Sequence, residues 1–343
     1  MPHPYPIREI ARQAGLSTAT VDRVLNSRGG VRETTVREVR QAIEDLDRQR
    51  TQVRIAGRTF MIDIVMQAPE RFSTAVRDAL EAELPSLHPA VVRSRFHFRE
   101  TGTAADLAAT LDRIAARGTQ GVLLKAPDVP EITAAVGRLA AAGVPVVTLV
   151  TDLPGSARLA YVGIDNRAAG TTAAYLLQQW LGDRPGHLLT TISRGSFRGE
   201  EERDMGLRSA LRGTFPRREL VEVTDADGLD STQRDLVLEA LRRDEGIVAV
   251  YSMGGGNLAT LDAFAELGRE CAVFIAHDLD HDNVRLLREG RLSAVLHHDL
   301  RHDVRRACQT VMRAHRALPD DGPTLPSAIQ VVTPFNMPPE AGG

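Results

Sequence analysis

From residue 60 onward the chain alternates short apolar runs with amphipathic stretches, and this alternation limits the possible folds more than any other feature. Runs at 60–66, 91–98, 121–124, 144–150, 161–164, 187–192, 219–223, 247–252, 272–276, 292–297 and 329–333 read as strands. Helical stretches of roughly ten to eighteen residues separate most of them. Such alternation predicts parallel sheets covered on both faces by helices. Ten or eleven strands are too many for one small sheet, so an α/β body of two lobes is expected. With 343 residues, 43% of them hydrophobic, the core needs no staples. The two cysteines, Cys271 and Cys308, lie in apolar or helical stretches and read as buried free thiols.

Residues 1–58 read differently. They hold 11 Arg against 7 Asp and Glu, a balance of +4, which leaves −7 for the rest of a chain whose net charge is −3. A basic head on an acidic body points to a polyanion partner for the head. Every basic side chain is Arg except Lys125, which reads as genome-wide codon preference. Three short helices fit 7–50. Ile7, Ile10, Ala11 and Ala14 form one apolar face, Gly15 and Leu16 break the helix, and Ser17 is placed to cap the next. Val21, Val24 and Leu25 line the inner side of the second helix. Thr34 or Thr35 is placed to cap a third.

The opposite face of the second helix presents Ala19, Asp22, Arg23 and Asn26, with Thr18 at its start. In a helix-turn-helix this face meets the major groove, where Arg23 suits guanine O6 and N7. Ser17, Thr34 and Thr35 suit phosphates. Asp22 would either accept from cytosine N4 or orient Arg23. The plainer alternative is a three-helix cap with a solvated face.

The run IREIARQAGLS at 7–17, followed by TATVDRVLN at 18–26, resembles the DNA-binding head of the lac repressor (LacI/GalR) family, whose pattern is IA..AGVS..TVSRVLN. Asp22 stands where most members have Ser. The family usually joins head to body through a hinge helix that inserts a leucine into the minor groove. Here 51–59 is short and lacks that leucine, so Ile55 as an apolar wedge and a basic tether on phosphates both stay open. Stretches 132–152 and 162–170 resemble the family's core, which is similar to periplasmic sugar-binding proteins. The resemblance implies a helix-turn-helix domain at 1–50, a linker at 51–59 and a two-lobed ligand-binding domain at 60–340. Lobe one would be about 60–160 plus 292–318, and lobe two about 161–291 plus 319–340. By the resemblance, Gln67, Asp152 and Asp278 at strand ends, Arg203 at the family's pocket arginine, Asn257 at a helix start and His298 at an often polar slot would face the ligand. Phe72 and Phe197 are candidates for the aromatic wall of a sugar site. A guanidinium fork donating to hydroxyl oxygens and carboxylates accepting from hydroxyl protons would suit a sugar or polyol. Arg203 also fits an exposed ion pair with its glutamate neighbours, and Asp152 and Asp278 also fit helix caps. Trp180 reads as internal packing.

Two rival chemistries are visible. Residues 254–259, GGGNLA, fit G-x-G-x-x-A after a strand, with Asp278 where a ribose ligand would sit, as in a dinucleotide-binding oxidoreductase. The motif would open the last part of a long body, however, and no nucleophile–base pair accompanies it. His277, His281, His297, His298 and His302 crowd one stretch, but without cysteine or a common element a metal is not expected. A periplasmic-type solute-binding protein would need an export signal, which residues 1–10 lack, and no later stretch reads as a membrane span. The expectation is therefore a cytoplasmic, non-enzymatic transcription regulator without cofactor. It would bind double-stranded operator DNA as a homodimer, under control of a small effector. The C-terminus shows no heptads that would build a tetramer.

Overall fold

The computed structural model describes residues 3–193, 196–212, 218–224, 226 and 229–338. The far ends of the chain, including 339–340 of the expected second lobe, lie outside the described residues. Helix α1 (Ile7–Ala14) stops at Gly15, whose φ of 67° is the left-handed turn that a side chain would resist. Ser17 caps α2 (Thr18–Leu25) by accepting from the Thr20 N–H at 3.1 Å. Ile10, Ala11, Val21, Val39, Ala42 and Leu46 make the small core, which the Tyr5 ring closes while its hydroxyl donates to Asp47 at 2.6 Å.

Helix α3 (Glu33–Ile55) starts two residues earlier than a Thr34 cap would place it, and three earlier than a Thr35 cap. Arg32 is the N-cap, so Thr34 and Thr35 sit inside the first turn. The helix also runs on into the stretch expected to be a linker, until Ala56 and Gly57, at φ 73°, end it. Ile55 is therefore no exposed wedge. It is 5% exposed and packs with Phe60 and Leu80 in the core of the first lobe, while Arg54 donates to the Ala317 carbonyl at 2.9 Å.

The body has two sheets. The first is parallel, in the order β2-β1-β3-β4-β5, from β1 (Thr59–Gln67), β2 (Val91–Arg99), β3 (Gly121–Lys125), β4 (Val146–Leu149) and β5 (Ala160–Val162). Helices α4 (Glu70–Glu83) and α12 (Leu300–Ala314) cover one face, and α5 (Ala104–Arg117) and α6 (Pro130–Ala141) the other. Coverage of both faces explains why most of β1, β3 and β4 is apolar, whereas the edge strand β2 carries Arg93, Arg95, His97 and Arg99. Asp63 is fully buried in β1. Arg95 holds it through two bonds of 3.0 and 2.7 Å, and Arg117 and His97 add 2.8 Å contacts.

The second sheet runs β11-β10-β9-β8-β6-β7, from β6 (His187–Thr191), β7 (Leu220–Val223), β8 (Ile247–Ser252), β9 (Val273–His277), β10 (Ala294–His297) and an antiparallel β11 (Gln330–Val332). Helices α7 (Asn166–Leu181) and α8 (Arg198–Leu211) pack on one side, and α9 (Asp230–Arg243), α10 (Asn257–Glu266) and α11 (His281–Arg288) on the other. The lobe boundaries shift from those expected. Residues 160–162 pair with β4 in the first sheet, whereas β10 pairs with β9 and β11 in the second. The chain thus crosses after 162, after 297, and again between 317 and 327. Trp180, expected inside, is 43% exposed.

Candidate functional site

In each sheet the strand order reverses beside the first strand, at β1/β3 and at β6/β8. Ligands of parallel α/β sheets sit beyond the carboxyl ends of strands at such switch points. Here the two switch points face each other across one cleft enclosing about 780 Å3, part of it open to solvent. From the first lobe come Gln67 at the end of β1, Phe72, Lys125 at the end of β3, and Thr151. From the second come Ser193, Phe197, Glu200, Arg203, Gly254, Gly255, His277 and Asp278.

Arg203 reaches the cleft because α7 and α8 pack backbone to backbone. A Cβ on Gly170 would lie 1.9 Å from the Arg203 carbonyl oxygen, and one on Gly206 2.1 Å from that of Arg167. The buried guanidinium donates through Nε to Asn166 Oδ1 and through Nη1 to the Met253 carbonyl, both at 2.8 Å. Glu200 accepts from the Ser193 N–H at 2.7 Å and hydroxyl at 2.6 Å. Gly254 is needed there, since its Cβ would meet Ser193 N at 2.5 Å and Glu200 Oε2 at 2.8 Å. Lys125 Nζ donates to the Gln67 carbonyl at 3.1 Å and stands 4.1 Å from the Phe197 ring centre and 5.9 Å from that of Phe72. Burial pulls its pKa down to about 8, and Arg203 adds to the fall while Glu200 and Asp278 oppose it.

Asp278 follows β9 in the left-handed region, at φ 65°. Burial disfavours its charge, but the His298 imidazole and the Arg203 guanidinium hold the carboxyl far below the usual carboxylate range. His277 is held neutral by burial and by Arg203, with Nε2 2.8 Å from the Tyr251 hydroxyl. Asp280 caps α11 and meets Arg71 of the opposite lobe at 3.1 Å, closing the cleft mouth. Burial lifts Asp280 to about 6 in spite of that partner.

At the other end of the chain, α2 exposes Thr18, Ala19, Arg23 and, just past its end, Asn26. The Arg23 guanidinium makes no hydrogen bond or ion pair with the described residues, while its carbonyl accepts from the Arg28 N–H at 2.8 Å. Asp22 does not orient it. Its carboxylate takes Arg28 Nη1 and Asn26 Nδ2, both at 2.8 Å, so it neutralises one cation of the face and fixes another polar tip.

The model for bacterial regulatory proteins of the lacI family matches residues 6–49, and that for the periplasmic binding protein domain matches 64–316. The chain belongs to the lacI family of bacterial regulators, with a periplasmic binding protein domain as its body. No curated protein matches the sequence closely enough to be compared. Among solved structures, GanP, a glucose-galactose binding protein from Geobacillus stearothermophilus, has a TM-score of 0.72 at 17% identity, over 82% of this chain and 99% of that one. A protein described as a LacI transcriptional regulator from Bacteroides fragilis gives 0.70 at 16% identity, over 81% and 98%. A solute-binding protein from Burkholderia graminis C4D1M, solved with D-arabinose, gives 0.71 at 16% identity, over 82% and 97%. Likeness at this identity carries the fold of the body.

In this lacI-family regulator, five of the eight expected ligand-facing residues line the cleft: Gln67, Phe72, Phe197, Arg203 and Asp278. Three do not. Asp152 turns away to Arg158, which grips both carboxylate oxygens, and to Thr148 at 2.8 Å. Asn257 is buried at the start of α10, donating to Asn283 Oδ1 at 2.7 Å. His298 is wholly buried behind Asp278, with Nδ1 2.5 Å from Asp303. Sequence reasoning missed Lys125, Glu200, Arg71, His277 and Asp280. A signal existed for Lys125, since the chain's single lysine closes a strand that points at the switch point. In the GGGNLA run, Gly254 packs closely against Ser193 and Glu200, and Gly256 against Gln233. Among the described residues no helix is long and apolar enough to cross a membrane.

Proposed function

We propose that the chain is a cytoplasmic, homodimeric repressor whose grip on a two-half-site operator is set by a neutral sugar or polyol held between the lobes. One observation carries the reading. A single cleft at two opposed switch points gathers fixed donors (Arg203, Lys125), fixed acceptors (Asp278, Glu200) and two aromatic rings. Such a set recognises hydroxyls from several sides at once. The sugars carried by GanP and the Burkholderia protein support the same ligand class. The cleft ions are neutralised by one another or held on backbone groups, which favours binding over catalysis. The head supports DNA through Arg23, ready for a guanine edge, and Ser17, Thr18, Thr34 and Thr35 beside the backbone. Ligand that fits the closed lobes better than the open ones shifts the spacing of the paired heads.

Two measurements test this. Selection from random duplexes should yield a two-fold-related site that wild-type protein binds and Arg23→Ala does not discriminate. A thermal-shift series with D-glucose, D-galactose, D-arabinose, D-allose and simple polyols should give at least one stabilising ligand, lost in Arg203→Ala. If Arg203→Ala keeps every stabilisation, the cleft is not the effector site.

A further inference from the structure

The second and third crossings meet at a buried ionisable cluster. His298 follows β10 at the second crossing, Asp303 lies one turn into α12, and Ser327 ends the third crossing. Ser327 Oγ donates to Asp303 Oδ1, and its N–H donates to the Gly163 carbonyl of the first crossing at 2.8 Å. His298 and Asp303 are both fully buried, whereas Asp278, on the far side of the imidazole, lines the cleft. We propose that His298 is a positioning residue that couples occupancy of the cleft at Asp278 to the bundled lobe crossings at Asp303, Ser327 and Gly163. The inference rests on the cleft being the effector site.

The argument is one of donors and distances. A neutral imidazole has one N–H and serves one carboxylate, whereas an imidazolium serves two. With His298 charged, the cluster of three carries −1; with it neutral, −2, around an imidazole that is itself fully buried. Burial works against the charge, yet the two carboxylates prevail and raise His298 to about 9. The surrounding ionisable groups are His277 and His297 beside the ring, Arg203, Lys125 and Asp280 near Asp278, and Arg306 and Tyr161 near Asp303.

The two sides of the ring are unequal. Nδ1 lies 2.5 Å from Asp303, but Nε2 is 3.4 Å from Asp278 Oδ1, and both of these last atoms are buried without a hydrogen-bond partner. The joint nearest the ligand is slack. Hydroxyls donating to Asp278 draw on its charge and reset that distance. The imidazolium then leans toward or away from Asp303, and the serine-linked crossings feel the change. Arg203 has a parallel route, through Asn166 and the Tyr161 hydroxyl at 3.1 Å, to the first crossing.

The test is histidine-selective nitrogen NMR on the full chain at pH 7, free and with each of D-glucose, D-galactose, D-arabinose and D-allose. In the free protein both ring nitrogens of His298 should carry protons. Ser327→Ala should shift the Nε2 resonance and Asp278→Asn the Nδ1 resonance, each across the ring from the altered group. A bound sugar should shift Nδ1 as well, and His298→Gln should weaken its affinity about tenfold or more. A neutral His298, or variants that move only the nearer nitrogen, overturns the proposal even if His298→Gln proves too unstable to study. If no sugar moves any resonance, the sugar reading fails, while the two cross-ring shifts in the free protein still decide the relay.

Discussion

The close contact of α7 and α8 makes Gly170→Ala a severe test of how Arg203 is placed. A new Cβ would lie 1.9 Å from the Arg203 carbonyl oxygen, where ordinary contact begins at 3.4 Å, so the helices must part by about 1.5 Å. Such a shift carries the 2.8 Å bonds from Arg203 to Asn166 and Met253 beyond hydrogen-bond reach. Overpacking costs about 1–3 kcal/mol and a lost charged hydrogen bond about 1.5–3 kcal/mol, offset by about 1 kcal/mol of helix propensity. The net loss is about 1.5–5 kcal/mol, or roughly 3–20 °C in Tm. Gly137, in α6, supplies the control, because no atom lies within 4 Å of its added Cβ. Gly137→Ala should stabilise by about 0.5–1 kcal/mol. Urea and thermal unfolding followed by circular dichroism read both. A Gly170→Ala protein as stable as wild type would refute the packing argument and, with it, the account of how Arg203 is aimed.

Three further outcomes follow from the described geometry. His298 has a folded pKa of about 9, above its unfolded value, so its contribution is complete below about pH 6.5 and is lost as pH rises toward 9. Over that interval wild type should lose about 3 kcal/mol relative to His298→Gln, read from urea midpoints; from pH 8 upward Lys125, shifted the other way, runs against the trend in both proteins. Replacing Asp63 with Asn strips the charge shared by Arg95, Arg117 and His97. Because those partners are partly exposed and can turn to water, the expected loss is about 2–3 kcal/mol, by the same unfolding assay. Asp22→Ala frees Arg28 and removes a negative charge from the DNA face, so nonspecific affinity for duplex DNA should rise and its salt dependence steepen. Unchanged salt dependence would count against Arg28 reaching phosphate.

Much of the fold was legible because strands covered on both faces must be apolar throughout, and each of the eleven runs became a strand within a few residues. The lobe boundaries were not legible, since only pairing decides that 294–297 joins β9 before the chain crosses back. The cleft was half legible. Strand ends located Gln67 and Asp278, and the family resemblance located Arg203 within α8, but the side chain's direction past a strand end depends on backbone turns no pattern reveals. The left-handed Asp278 backbone and the inward turn of His298 are of that kind. Lys125 was overlooked because its rarity looked like a property of the whole sequence. At 51–59 the pattern suggests a linker, with an Ile55 wedge and a basic tether both open, whereas Gln52 and Arg54 continue a helix that has already begun.

That continuous α3 has a mechanical consequence. Twenty-three residues at 1.5 Å each make a rod of roughly 34 Å. One end carries Val39, Ala42 and Leu46 in the core of the head, and the other ends with Ile55 in the core of the first lobe. A rod clamped at both ends transmits angle rather than slack. A 10° turn of the first lobe would swing the far end by roughly 6 Å, close to two base-pair steps along a duplex. A lever of this kind turns a small rotation in the cleft into a misfit of register on DNA, without a joint that must fold and unfold.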